Sequence, residues 1–343
     1  MQPATAVQEQ PRSFTGAPAS TPALDDVFGL VGDDFAAINR LIPAQLTSDV
    51  ALVEEIGRYI VESGGKRLRP LLVLLSARGC GFDGNRHVVL AASIEFLHTA
   101  SLLHDDVVDR SDLRRGRPTA NACWGNAPSV LVGDFLYSRA FQLMVALENM
   151  DVLTILADAT NRIAEGEVMQ FANIGNLDMD ESSYLEAIRL KTALLFQAAT
   201  HTGAVLASQD SAEIEAHRRF GLHFGLAYQL VDDWLDYAGD AATMGKNAGN
   251  DLAEGKLTLP LIHTLANGTP PQAALVRDAL RMRSRARFDQ VVEAVHACGA
   301  MRYTHDAALE QSRLALQCLA ELPANTYREA MADVTRFAMS RLC

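Results

Sequence analysis

The chain has 343 residues, of which 49% are hydrophobic and only 6% aromatic, so it can bury a large aliphatic core without disulfide bonds. Its formal net charge of −12 at pH 7 argues against a nucleic-acid partner and against electrostatic attraction to anionic lipid. An anionic substrate would therefore need a local group of cationic side chains.

Helical periodicity dominates the chain after its first segment. Residues 1–22 are rich in Pro, Ala, Thr, Gln and Ser, which predicts a disordered N-terminal tail. Over residues 23–343 apolar residues recur at spacings of three and four, and Gly, Pro and Asn clusters mark the breaks. Strictly alternating strand patterns are missing. We expect a single all-α domain of about a dozen helices with a central bundle of long ones.

The first cationic group follows a glycine pair. The sequence Gly64-Gly65-Lys66-Arg67-Leu68-Arg69-Pro70 places three cations in a loop ahead of a predicted helix. Further along, His98 lies two helical turns before Asp105 and shares its face. From spacing alone, His98 is either a donor to a phosphate or a hydrogen-bonded core side chain.

Two aspartate clusters of the same form, DDxxD, interrupt apolar helical sequence. The first is Asp105-Asp106-Val107-Val108-Asp109 and the second is Asp232-Asp233-Trp234-Leu235-Asp236. In each, the first and last aspartates are four residues apart and share a helix face, where like charges destabilise a bare helix. Each cluster also lies near the predicted C-terminal end of its helix, where the dipole disfavours carboxylates. Hard divalent cations would offset both costs, and Mg²⁺ commonly shares carboxylates with substrate phosphates. We therefore predict a magnesium–diphosphate site.

Further cations lie close to the aspartates in the sequence. Arg114 and Arg115 follow the first cluster, and guanidinium groups suit phosphate oxygens. Lys191-Thr192 interrupts a long apolar helix, and Lys246 and Lys256 each follow a glycine beyond the second cluster. For the three lysines, spacing alone does not decide between the site and the solvated surface.

These motifs, in this order, resemble those of the trans-polyprenyl diphosphate synthases. The matching segments are GGKRLRP, LLHDDVVDRSDLRRGRPT, KT, YQLVDDWLDY and GKNAGNDLAEGKLTLP, and the likeness extends from about residue 25 to the C-terminus. HDDVVD, NACWGNAPSVLVGDF and AEGEVMQ are most similar to octaprenyl diphosphate synthases. The resemblance implies the isoprenoid synthase type of fold, a bundle of long antiparallel helices around a central cavity.

The resemblance also implies roles for individual residues. Three Mg²⁺ ions would be bound mainly by Asp105, Asp109 and Asp232, with Asp236 close by or acting through water. Arg114, Lys191 and Lys256, assisted by Lys246, would contact the diphosphate of an allylic substrate. The diphosphate of isopentenyl diphosphate would be bound by Lys66, Arg69, His98 and Arg115. Thr192 and Gln229 would steady the allylic cation, with Glu167 and Gln170 nearby.

The implied reaction condenses an allylic diphosphate, farnesyl diphosphate above all, with several isopentenyl diphosphates. Ala100 and Ser101 lie one helical turn before Asp105, where small side chains would leave the pocket floor open to a growing product. We therefore predict an octaprenyl (C40) product for quinone side chains, with nonaprenyl and decaprenyl as alternatives. A short-chain (C15–C20) synthase and a non-catalytic partner subunit are further alternatives.

Two other functions fit less well. A class I terpene cyclase would replace the second DDxxD by an Asn/Asp, Ser/Thr, Glu pattern and would not need the GGKRLRP loop. A His-Asp phosphohydrolase would leave the twin aspartate clusters unexplained.

The remaining expectations concern assembly and location. The resemblance implies a homodimer whose product passes to membrane enzymes. The five cysteines are scattered without CxxC pairing, which is typical of reduced thiols in a cytoplasmic protein. No run of about 18 uncharged apolar residues is present, so we expect no transmembrane segment.

Overall fold

Almost all of the chain is helical in the computed structural model, which describes residues 24–238 and 249–342. The α-helices, numbered in chain order within these ranges, are α1 (Leu24–Leu30), α2 (Gly32–Gln45), α3 (Ala51–Glu62), α4 (Leu68–Gly79), α5 (Arg86–Val108), α6 (Ala120–Trp124), α7 (Asn126–Ala146), α8 (Met150–Ala172), α9 (Glu181–Ile188), α10 (Leu194–Ala207), α11 (Ser211–Leu235), α12 (Asn250–Glu254), α13 (Leu259–Asn267), α14 (Pro270–Met282), α15 (Phe288–Ala297), α16 (Ala300–Ala320) and α17 (Thr326–Met339).

Other regular structure in the described residues is slight. One antiparallel hairpin joins β1 (Leu113–Arg114) to β2 (Arg117–Pro118), and a π-helical turn (Arg189–Ala193) links α9 to α10. Two 3₁₀ turns span Arg285–Arg287 and Ser340–Leu342. The all-α prediction is confirmed. The helices are more numerous than the expected dozen because several, such as α6 and α12, have little more than one turn. The predicted tail at residues 1–22 lies outside the described residues.

Glycines end several helices where the sequence pattern predicted breaks. α3 ends before Gly64-Gly65, and the β-hairpin turns at Gly116, whose φ is +74°. Gly125, with φ +89°, separates α6 from α7. At these four positive-φ glycines a side chain would be strained, so glycine sets the chain direction.

The longest helices pack around one another as the bundle prediction requires. α5 packs against α4 and α7, α10 against α4, α8 and α11, and α11 against α16. Gly225 of α11 permits a close approach to the π-helical turn, because a Cβ atom there would lie 2.5 Å from Ala193 Cα. That approach brings the polar residues of the turn against α11.

Both aspartate clusters occupy helix C-termini, as predicted. α5 ends at Val108 with Asp109 as its C-cap, and α11 ends at Leu235 with Asp236 as its C-cap. The negative ends of two helix dipoles therefore add to the carboxylate charge. Within residues 24–238 and 249–342, none of the helices is both long and apolar enough to cross a membrane.

Candidate active site

The first aspartate cluster divides into two outward carboxylates and one buried one. Asp106 is only 1% exposed, and its carboxylate pairs with Arg114, with Nη2 2.8 Å from Oδ1. Arg114 Nε also donates to Oδ1 at 2.9 Å. Burial raises the pKa of Asp106, and the hydrogen bond from Arg114 opposes that rise. The guanidinium that we predicted for the allylic diphosphate is therefore engaged by Asp106 in this structure.

Asp105 lies beside a lysine from the π-helical turn. Lys191 Nζ is 3.7 Å from Asp105 Oδ2 and donates to Glu167 Oε2 at 2.7 Å. Burial and the charge of Asp105 raise the pKa of Glu167 to about 7, against the opposing effect of Lys191. The widened turn thus presents Lys191 to two acids, which agrees with the frequent occurrence of π-turns at functional sites.

Asp109 connects the first cluster to the segment that follows the second. Lys256 Nζ donates to Asp109 Oδ2 at 2.9 Å and lies 2.7 Å from Glu254 Oε2. Burial lowers the pKa of Lys256, but the charges of Glu254, Asp109 and Asp251 outweigh burial and raise it overall. Lys256 is therefore a firmly charged cation between carboxylates from the two halves of the site.

The second cluster also has a buried middle aspartate, Asp233, but its last aspartate is buried too and its outer partners differ. Asp232 forms an ion pair with Arg341, with Nη1 2.8 Å from Oδ1. Asp236 is 8% exposed and accepts hydrogen bonds from the backbone amides of Gly249 (3.1 Å), Asn250 (3.3 Å) and Asp251 (3.2 Å). Asp236, predicted as a metal ligand, caps the start of α12 here.

A buried hydrogen-bond chain runs behind the second cluster. Tyr184 donates through its hydroxyl to Asp233 Oδ2, and Gln229 Nε2 donates to Asp233 Oδ1 at 2.7 Å. Thr192 Oγ1 donates to Gln229 Oε1 at 2.8 Å. Burial raises the pKa of Asp233 to about 6, although both of its donors oppose the rise. These hydrogen bonds fix the orientation of the Gln229 amide, with its oxygen toward Thr192.

One cavity gathers most of the residues predicted around the allylic substrate. Lys191, Thr192, Gln229 and Lys256 line it together with Gln170. Tyr184 and Asp233 of the buried chain form part of the same wall. Lys246 lies outside the described residues.

A second cavity gathers the cations predicted for isopentenyl diphosphate. Lys66, Arg69, His98 and Arg115 all line it. Arg69 Nη1 lies 3.1 Å from His98 Nε2, and the Arg69 guanidinium stacks 4.1 Å from the centroid of Phe196. A guanidinium can only donate, so His98 Nε2 accepts and its proton resides on Nδ1. Burial, with the nearby arginines, holds the pKa of His98 well below its ordinary value, so the ring is neutral.

Glycine makes room for one of these cations. A Cβ atom at Gly65 would lie 2.5 Å from Arg115 Nη1, and Gly65 has a φ of +143°. Arg115 itself has a positive φ of +53°. A non-glycine residue in this region is strained, which is common at ligand sites. Gly65 is therefore part of the cavity wall.

An acid that we did not predict lies among these cations. Glu95 lines the same cavity, and its Oε1 is 3.9 Å from Arg67 Nε. Its Oε2 is buried without a hydrogen-bond partner in the described residues. Burial raises the pKa of Glu95, although the three nearby arginines oppose the rise.

The two positions predicted to set product length differ in exposure. Ala100 has no accessible surface, whereas Ser101 is half-buried and donates to the His98 carbonyl at 2.8 Å. Only Ser101 therefore presents accessible surface.

The donor chemistry of the site fits a hard divalent cation. Asp105 and Asp109 each keep 17% of their side-chain surface accessible and Asp232 keeps 33%, and all three offer carboxylate oxygens. Oxygen ligands of this kind, with room for water and phosphate, suit Mg²⁺.

Besides Glu95, sequence reasoning missed four residues in contact with this site. Arg341 and Tyr184 are remote in sequence from the motifs they contact, and nothing local marks them. Asp106 and Asp233 could have been recognised as internal, because neighbouring residues on a helix do not share a face.

Comparison with known proteins identifies polyprenyl synthases by family model, by sequence and by structure. Residues 50–297 match the family model described as Polyprenyl synthetase. The chain is 47% identical over 319 residues to the octaprenyl diphosphate synthase of Escherichia coli (strain K12), covering 93% of this chain and 99% of that protein. It is 48% identical over 318 residues to the all-trans-nonaprenyl-diphosphate synthase (geranyl-diphosphate specific) of Rhodobacter capsulatus, covering 92% and 98%. The crystal structure of the polyprenyl synthase from Caulobacter crescentus CB15, complexed with calcium and isoprenyl diphosphate, is similar with a TM-score of 0.91 and 46% identity, covering 95% of this chain and 100% of that one.

Proposed function

Because the chain belongs to the polyprenyl synthetase family and is a trans-polyprenyl diphosphate synthase, we propose that it extends farnesyl diphosphate with isopentenyl diphosphate to octaprenyl diphosphate. The observation that supports this most strongly is the pairing of two cavities, one lined by Lys191, Lys256 and the Thr192–Gln229 pair and one lined by Lys66, Arg69 and Arg115. A reaction between two diphosphates needs both.

The acidic side of the site suits the allylic diphosphate. Asp105, Asp109 and Asp232 would bind Mg²⁺, and bound Mg²⁺ would supply Lewis-acid stabilisation of the departing diphosphate. Lys191 and Lys256 already lie against these carboxylates and would turn to the phosphate oxygens. Because such fixed cations meet charge that grows as the carbon–oxygen bond breaks, they favour the transition state over the ground state.

The buried chain behind Asp233 suits the allylic cation. The amide of Gln229 is held by Asp233, so its oxygen stays on the side of Thr192 and the cavity. The Thr192 hydroxyl donates its hydrogen bond to Gln229, so its oxygen lone pairs remain available to the cavity. Two oxygens without a competing N–H would then face the developing positive charge. No side-chain nucleophile is needed.

The basic cavity suits isopentenyl diphosphate. Lys66 from the loop before α4, Arg69 from the first turn of α4 and Arg115 from the β-hairpin turn supply the cations. Guanidinium groups bind phosphate oxygens in pairs. In this proposal His98 acts mainly by accepting from Arg69 and holding it in position. The double bond of the bound substrate attacks the allylic cation, and a proton is then lost to the departing diphosphate.

The relatives support a long product but differ in its length. Their names describe octaprenyl and nonaprenyl synthases at nearly equal identity, and a solved relative is a decaprenyl synthase at 41% identity. We favour octaprenyl because Ala100 and Ser101 leave the region behind Asp105 without a bulky side chain. The prediction that the protein is cytoplasmic stays a prediction.

The decisive experiment is incubation with farnesyl diphosphate, labelled isopentenyl diphosphate and Mg²⁺, with mass analysis of the extracted products. A dominant C40 product supports the proposal, and a C15–C20 product would refute the assigned length but not the chemistry. No elongation would refute catalysis and favour a partner subunit. Asp105→Asn should abolish elongation, whereas Asp278→Asn, at an exposed aspartate outside the site, should not.

We also propose that two copies associate through α7. Only two of its 21 residues, Asp134 and Arg139, are charged, yet Leu131 is 67% and Val145 62% exposed. A long helix face of this composition is typical of an interface between like subunits. Light scattering should give twice the chain mass. Leu131→Asp should yield monomer and Leu309→Asp, at an exposed leucine of α16, should not; a monomeric parent chain would contradict the proposal.

A further inference from the structure

A cluster of three metal-ligating side chains lies away from the two cavities. Cys80, Glu213 and His217 each offer a ligand atom, and these atoms all lie within 4.8 Å of one another. None of the three lines either cavity or contacts an aspartate of the DDxxD motifs. The proposed reaction does not use them.

The fold brings the three residues together from two helix ends. Cys80 is the C-cap of α4, and Glu213 and His217 lie four residues apart on one face of the first turns of α11. Asp232 lies at the other end of α11, about 22 Å from His217 along the helix axis at the standard rise per residue. The cluster is therefore remote from the reacting groups.

The geometry and the ligand types point to a borderline-soft divalent cation. Cys80 Sγ lies 3.4 Å from His217 Nε2. Tetrahedral Zn²⁺, with bonds of about 2.3 Å to sulfur and about 2.05 Å to nitrogen, would hold these two atoms about 3.5 Å apart. A thiolate, an imidazole and a carboxylate select Zn²⁺ over Mg²⁺, which prefers oxygen alone. We infer that Cys80, Glu213 and His217 form a Zn²⁺-binding site with water as the fourth ligand.

The burial of the cluster agrees with a closed but reachable site. His217 is 1% exposed, and its Nδ1 has no hydrogen-bond partner in the described residues. Cys80 and Glu213 are half-buried, so an ion can enter from solvent on their side.

The protonation states of the ligands determine how many protons are released when the ion binds. Burial lowers the pKa of His217 to about 4, so the ring binds a metal without first losing a proton. Burial and the neighbouring Glu213 raise the pKa of the Cys80 thiol. Binding therefore breaks the S–H bond, forms the S–metal bond and releases one proton to solvent. Without an ion, the same contact is a thiol–imidazole hydrogen bond.

The test is a Zn²⁺ titration of the full, chelator-treated chain against a chromophoric chelator, with excess Mg²⁺ present to occupy the aspartates. We expect one Zn²⁺ per chain that Mg²⁺ does not displace. Cys80→Ser and Glu213→Gln should each weaken binding by more than about tenfold, because they remove a direct ligand. Cys123→Ser, at an exposed cysteine outside the cluster, should leave binding unchanged.

Cobalt substitution supplies an independent readout. Co²⁺ bound by Cys80 should give a thiolate charge-transfer absorption that Cys80→Ser lacks and Cys123→Ser retains. Glu213→Gln keeps the side-chain shape, so it tests the site even where Cys80→Ser folds poorly, and circular dichroism checks the fold of both. Absence of Mg²⁺-resistant Zn²⁺ in the parent chain, or equal binding by Cys80→Ser, would overturn the inference. Prenyl transfer by the Cys80 and Glu213 variants should be unchanged.

Discussion

The hydroxyl of Tyr184 offers a test of the buried chain behind the second aspartate cluster. Tyr184 and Asp233 are each 3% exposed, and the hydroxyl is one of two side-chain donors to the carboxylate. Tyr184→Phe removes one hydrogen bond and leaves the ring in place. A hydrogen bond to a buried charged group contributes about 1.5–3 kcal/mol, so we expect the free energy of unfolding to fall by that amount.

The same substitution should lower the rate of prenyl transfer. Asp233 would keep only Gln229 as a side-chain donor, and the amide would lose part of the restraint that orients its oxygen toward Thr192. Each 1.4 kcal/mol of lost transition-state stabilisation lowers kcat about tenfold. Denaturant unfolding and steady-state kinetics with farnesyl and isopentenyl diphosphates measure the two effects.

Tyr303→Phe is the matched control. Tyr303 also donates its hydroxyl to a carboxylate, that of Glu181 at 2.8 Å, but this pair is exposed. Its loss should change the free energy of unfolding by less than about 0.5 kcal/mol and leave kcat unchanged. Equal losses of stability in the two variants, or an unchanged kcat in Tyr184→Phe, would refute the role assigned to the buried hydrogen-bond chain.

Three further predictions concern pH, substrate affinity and product length. With chelator present, the free energy of unfolding should decrease as the pH drops below 6.5, because the pKa of His217 is about 4 in the fold and higher in the unfolded chain. By pH 5 this decrease is about 2 kcal/mol, and urea unfolding of His217→Leu should show a decrease smaller by that amount. Arg69→Gln should raise the KM for isopentenyl diphosphate about 10-fold to 100-fold and that for farnesyl diphosphate far less, as kinetics with each substrate varied will test. Ser101→Phe and Ala100→Phe should both shift products toward C15–C20 on mass analysis, and unchanged products would refute this position of the pocket floor. Ala100→Phe should also lower the free energy of unfolding by about 1–3 kcal/mol, because the methyl group of Ala100 is fully buried.

The helices could be predicted from sequence because their signals are local. Apolar spacing, the glycine pair at Gly64-Gly65 and the turn glycine Gly116 each act within a few residues, and the structure has its breaks there. The grouping of Lys66, Arg69, His98 and Arg115 followed from the family resemblance, and in the structure they line one cavity. Both kinds of inference depend on short motifs.

The partners of the aspartates could not be predicted, because they depend on tertiary contacts. The two clusters are alike in sequence, but Asp109 meets Lys256 whereas Asp236 accepts the amides at the start of α12. The difference arises from the path of the chain after each helix. Arg341, which pairs with Asp232 from the end of the chain, has no neighbouring residue that marks it.

The pairings also explain how a chain can fold with so many carboxylates at two helix C-termini. The second aspartate of each cluster has partners inside the protein: Asp106 forms an ion pair with Arg114, and Asp233 accepts two hydrogen bonds. Asp105 and Asp109 are paired with the flexible side chains of Lys191 and Lys256, whereas Asp236 accepts backbone amides. In the proposed function these lysines stabilise the carboxylates before metal binds and turn to phosphate afterwards. Since the carboxylates of Glu254, Asp109 and Asp251 raise the pKa of Lys256 against burial, it stays charged through that exchange.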